Sequence, residues 1–147
     1  MKLCIFLFLI FFQVQVQCQS KVIVRTQSII HSNLSYNKTI YMSRFELQRI
    51  FTRKQLFWSD GSIISNIYIK PMMSIENQQF LLNFLQLTLY RYQQYLDTAV
   101  YSGKAMPVIE VKSDVEMLFY VNSHPNSIGY LNYEIVSSSK RIICDDC

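Results

Sequence analysis

Three serines, Ser43, Ser74 and Ser113, stand where helical apolar periodicity begins, so each predicts a helix N-terminus. A helix start is the simplest anion site a chain can build, because its first amides lack partners and its dipole favours negative charge. Two of the three are already served. Ser43-Arg44-Phe45-Glu46 and Ser113-Asp114-Val115-Glu116 are capping boxes, in which the serine accepts from the N3 amide and a glutamate sets its carboxylate against the dipole. Ser74 has no glutamate at that position, where Asn77 stands instead, and Lys70 lies just upstream. Ser74 is therefore the one of the three helix starts left open to an anion. Two plainer readings stand beside it: Ser74 as a cap alone, and Lys70 as a strand-end lysine facing water.

Other reactive residues are sparse. Cys144-Asp145-Asp146-Cys147 reads first as a local disulfide or an unpaired tail, if the chain meets an oxidising compartment. A metal site there would need further ligands, and the two histidines, His31 and His124, are distant in sequence. A redox pair would need a lowered thiol pKa, which two intervening carboxylates oppose. No Ser/His/Asp order and no paired carboxylates can be assembled, so the residues argue against an enzyme and call for no cofactor.

The ends of the chain set the compartment. Met1-Lys2, an apolar run over 3–12 and small residues at Cys18 and Ser20 form the three-part layout of a secretory signal over 1–20, leaving one domain over 21–147. The run is shorter than the roughly 20 apolar residues a membrane helix needs. Lipoprotein cleavage before Cys18 is the alternative, but Gln15-Val16-Gln17 lacks the leucine and small residues of such a site. A periplasmic or secreted protein is expected. The formal charge of +4 becomes +3 once Lys2 leaves, with 13 basic and 10 acidic residues. No basic block appears, which argues against nucleic acid.

Residues 21–30 read as a first strand or strand pair and 31–39 as a loop with two formal glycosylation sequons, at Asn33 and Asn37. A helix closes on Ile50 and Phe51, Trp58 covers the core, and Asp60-Gly61 turns into a strand over 63–70. Pro71 breaks that strand, and a helical pattern runs from Ser74 through Tyr101, ended by Gly103 and Pro107. A short strand over 108–111 follows. A helix from Ser113 through Val121 then offers Val115, Leu118, Phe119 and Val121 to the core, and a strand over 128–133 follows a Pro125-Asn126 turn. Strands alternating with helices imply an α/β layer structure.

Two stretches carry a resemblance. Residues 50–61, IFTRKQLFWSDG, resemble the pattern IF-x-G-K-x-x-x-W-x-D-G of phosphate-type periplasmic solute-binding proteins. The stretch from Tyr101-Ser102-Gly103-Lys104 through Ser113-Asp114-Val115-Glu116 to Ile128-Gly129-Tyr130-Leu131 resembles the small members of that family. The resemblance implies a one-lobe, type II periplasmic-binding-protein-like domain, a mixed sheet flanked by helices. It implies binding of phosphate or another small oxyanion, or an accessory role in phosphate transport. An ABC transporter or another envelope protein would be the partner, and a homodimer would supply a second lobe. It also argues against eukaryotic glycosylation at the sequons. In the family, R-x-x-G-S-G-T-x-x-x-F holds the oxyanion; here Lys70, Ser74 and Phe80 fall on that pattern, while Ile75 replaces a glycine and Glu76 a hydroxyl, and the resemblance implies Lys70, Ser74 and Asn77 as the candidate ligand-binding set for a small oxyanion. A phosphate dianion beside Glu76 meets like charge. The other reading of the same resemblance is a ligand-free module that reuses the fold for protein contacts at the envelope. An outward Glu76 and a packed Ile75 would favour it.

Overall fold

Each of the three serines caps a helix in the computed structural model, which describes residues 21–25, 40–131 and 140–144. The expected signal over 1–20, both sequons, His31 and Cys147 lie outside the described residues. The element order is β1 (Lys21–Arg25), β2 (Ile40–Met42), α1 (Arg44–Phe51), β3 (Tyr68–Ile69), α2 (Ile75–Asn83), α3 (Leu89–Tyr101), β4 (Ile109–Glu110), α4 (Asp114–Ser123), β5 (Ser127–Leu131) and β6 (Lys140–Cys144).

The main sheet runs β2-β6-β1-β5. Strand β1 is antiparallel to β5, with Val22 opposite Tyr130, and antiparallel to β6, whereas β2 and β6 are parallel. A second, parallel pair joins β3 to β4. An isolated parallel bridge between Ile67 and Ile128, closed by the Ile128 N–H on Asn66 O at 2.9 Å, sets β3 beside β5. The architecture is therefore mixed α/β.

Strand β5 is buried along its whole length because both faces are covered. Successive side chains point to opposite faces. Ile128 and Tyr130 enter the larger core with Leu47, Ile50 and Phe51 of α1, Phe80 and Leu81 of α2, and Tyr92 and Leu96 of α3. Leu131 enters a smaller core with Met117 and Val121 of α4. Gly129 lies under that helix, where an added Cβ would overlap Met117 Sδ and stand 3.0 Å from Val121 Cγ2.

Several expectations need correction. The helical pattern after Ser74 is two helices, broken where Gln86 takes φ 51° and Thr88 caps α3 by accepting the Arg91 N–H at 3.3 Å. The strand over 63–70 shrinks to Tyr68–Ile69: Ile63 instead closes a tight antiparallel bridge to Phe57 around Asp60 and Gly61, whose φ of 84° suits glycine. In α4 the inward stripe is Asp114, Met117 and Val121, leaving Val115 and Phe119 exposed. Phe45 also faces solvent, with Arg49 over its ring. Trp58 does cover the core, its Nε1 donating to Asn126 O at 3.4 Å.

Candidate functional site

Lys70 follows β3 directly and is buried, so it does not face water. Its Nζ pairs with Asp114 Oδ1 at the first residue of α4. Its backbone N–H donates to the Tyr130 hydroxyl at 3.0 Å. That hydroxyl in turn donates to Asn77 Oδ1 at 2.9 Å. Asn77, in the first turn of α2, is fully buried and spends its amide on Met72 O at 2.9 Å. Its backbone N–H donates to Ser74 Oγ at 3.2 Å. Lys70, Ser74 and Asn77 thus belong to one connected network, joined through Tyr130 and anchored by Asp114.

The physical reason for the network is burial. A buried ammonium without an opposite charge, or a buried amide without partners, costs several kcal/mol. Here the charges meet each other and the amide meets Met72 and Tyr130. Tyr130 is positioned by its ring, stacked on Phe80 with centroids 3.8 Å apart and an interplanar angle of 5°. Burial pushes its hydroxyl well above the usual phenol value of 10, and the Lys70 backbone hydrogen bond opposes that shift. The neutral phenol is the form that both accepts and donates here.

The loop before α2 closes on itself as well. Ser74 donates its N–H to Pro71 O at 2.8 Å, and Gln78 Nε2 donates to Met73 O at 3.1 Å. Glu76 is exposed, as expected of an outward carboxylate, but Ile75 is 71 % exposed and so is not packed. Met73 is 69 % exposed. Ser74 is therefore flanked by two apolar side chains in solvent.

Asp114 and Tyr130 carry the network yet were invisible as site residues in the sequence. Asp114 sits inside a capping box, where an acid needs no further explanation. Tyr130 reads as one strand residue among others. In that box Ser113 Oγ accepts the Glu116 N–H at 3.1 Å, while the Glu116 carboxylate accepts the N–H of Lys112 at 2.7 Å. His124 is exposed and donates through Nδ1 to Tyr120 O at 3.0 Å, its ring beside Tyr68 and Tyr120. Among the described residues no group of three or more His, Cys, Asp or Glu is placed to hold a metal. Cys144 ends β6 opposite Met42.

No family model and no curated protein matches the sequence. Among solved structures, the fold is similar to the crystal structure of PstS from Borrelia burgdorferi, with a TM-score of 0.52 at 19 % identity over 76 % of this chain. The match spans 39 % of that protein. At this identity the likeness concerns the fold alone: this chain shares a mixed α/β fold with well under half of that neighbour.

Proposed function

We propose that this chain is a non-catalytic envelope domain, built as one lobe of a phosphate-type solute-binding fold, that works through protein contacts in the setting of phosphate transport. The observation that carries this reading is the use of Lys70, Ser74 and Asn77. Each spends its polar atoms inside the protein, on Asp114, on the α2 cap, and on Met72 and Tyr130. An oxyanion at Ser74 would have to take Lys70 from Asp114 and strand a buried carboxylate. Ile75 lacks the packing first expected of this reading, and the reading rests instead on the apolar surface that Met73 and Ile75 offer at the same loop. The signal-like residues 1–20 and the fold likeness support a periplasmic or secreted location. The partner class is an ABC transporter subunit or another envelope protein.

A photo-crosslinking residue placed at Ile75 tests this in intact cells. A discrete protein adduct is expected there, with none from the same group placed at exposed Gln94 on α3. Absence of an adduct at Ile75 from folded, exported protein counts against the reading.

A second reading keeps the oxyanion. It is favoured by the first two amides of α2, those of Ile75 and Glu76, which a helix leaves without internal partners. In that reading Lys70 leaves Asp114 to meet phosphate, and Asn77 stays as the structural support of the turn. Phosphate titration of the natural chain beside Ser74→Ala and Lys70→Ala separates the two.

A further inference from the structure

Strand β4 is an open edge: it pairs with β3 on one side only, and both its residues, Ile109 and Glu110, are exposed. The inward side is fully used. Ile109 N–H donates to Ile67 O at 2.9 Å and Val111 N–H to Ile69 O at 2.8 Å. Alternate residues of a strand turn their backbone groups to opposite sides, so the N–H and C=O of Val108 and Glu110 face outward. Among the described residues these outward groups have no partner. Such a row is a template for one more strand.

The free stretch has fixed ends. Before it, the buried Arg53 donates from Nη2 to Pro107 O at 3.2 Å. After it, the Glu116 carboxylate accepts the Lys112 N–H at 2.7 Å and α4 begins at Asp114. The backbone from Val108 to Glu110 is therefore held in place before anything docks, which lowers the ordering cost of strand addition.

The register assigns the two faces. Tyr68 lies opposite Ile109 and shares the smaller core with Val111, whereas Ile69, opposite Glu110, enters the larger core. Ile109 thus points to the α4 side, where the rings of Tyr120 and His124 lie against Tyr68, and it is 40 % exposed. Glu110 points to the other side, and among the described residues no cation pairs with its carboxylate. A second copy of the chain suits this edge poorly. The stretch is too short to bury the roughly 1,200 Å² of a stable dimer. Antiparallel self-pairing about Glu110 would also set two carboxylates opposite each other. A cationic side chain opposite Glu110, with apolar neighbours on the Ile109 side, answers both faces.

We propose that β4 is a docking edge for an extended segment of a partner protein, which adds as a strand outside β4 with a lysine or arginine opposite Glu110 and apolar residues beside Ile109. Backbone hydrogen bonds to Val108 and Glu110 hold the segment, and the Glu110 carboxylate selects its charge. The edge shares no residue with the Met73 and Ile75 surface and does not depend on the function proposed above.

Amide chemical shifts of the isotope-labelled chain, titrated with the blocked peptide Thr-Val-Lys-Val-Thr, test the edge. Saturable shifts at the Val108 and Glu110 amides are expected, with about fivefold weaker binding when glutamate replaces the peptide's lysine. Glu110→Pro should abolish binding. Proline there deletes an outward N–H and leaves the β3 ladder whole, and the spectrum of the variant reports that its fold is intact. Glu110→Lys, which keeps the N–H, should reverse the preference in favour of the glutamate peptide. No saturable shift with either peptide, binding that survives Glu110→Pro, or a preference unmoved by Glu110→Lys overturns the proposal. Shifts at these amides that follow the concentration of the chain alone would give the edge to a second copy, and overturn it too.

Discussion

The Tyr130 hydroxyl donates to Asn77 Oδ1 at 2.9 Å while accepting the Lys70 N–H at 3.0 Å, so one phenol on β5 fastens the end of β3 to the first turn of α2. Tyr130→Phe keeps the ring stacked on Phe80 but leaves a buried acceptor and a buried donor unmet. Urea denaturation should show a loss of about 1–3 kcal/mol. A loss near zero would mean that water replaces the hydroxyl.

Lys70 and Asp114 answer to the same logic with larger numbers. Lys70→Met strands the carboxylate and Asp114→Asn strands the ammonium, each expected to cost about 3–5 kcal/mol. The double variant should lose much less than the sum, because the charges vanish together. Additive losses in a double-mutant cycle would show that the pair is not coupled.

Alkaline stability follows from two of the buried phenols. Burial holds the Tyr92 and Tyr130 hydroxyls above the ordinary value of 10, so the folded chain keeps protons that the unfolded chain releases. Their contribution is complete below pH 10 and declines as pH rises past 10 toward the raised folded values. The expected decline is about 1.4 kcal/mol per pH unit for each phenol. Chemical denaturation across this range should give a shallower fall in Tyr130→Phe than in the natural chain.

Gly129 is required by a close approach. In Gly129→Ala the new methyl meets Met117 Sδ and Val121 Cγ2 beneath α4, in a buried layer with little room to give. The expected cost is about 1–3 kcal/mol, read from the urea midpoint. Met117→Ala in the same chain should recover part of the methyl overlap, measured as a positive coupling term.

Local chemistry was legible and distant partners were not. A cap is decided within four residues, so Ser43, Ser74 and Ser113 could be read directly, and each accepts the expected N3 amide. The break between α2 and α3 was not readable, because it turns on a positive φ at Gln86, a residue without the usual turn signature. The face of α4 was misread for a related reason: Asp114 is drawn inward by Lys70, and this rotates Val115 and Phe119 into solvent. Lys70 itself reads equally as an anion ligand or a surface lysine until the fold brings Asp114 to it. The mixed α/β class was evident from the alternation of patterns, whereas the pairing of β2 with β6 joins segments far apart in sequence.

Phosphate titration of the natural chain, with Ser74→Ala and Lys70→Ala alongside and sulfate as a control, tests the central claim most directly. The account predicts that no phosphate binding depends on Ser74 or Lys70, since both are already engaged inside the protein. Saturable phosphate binding that disappears in Ser74→Ala and in Lys70→Ala, with both variants still folded by circular dichroism, would contradict it, and would make the start of α2 an oxyanion site.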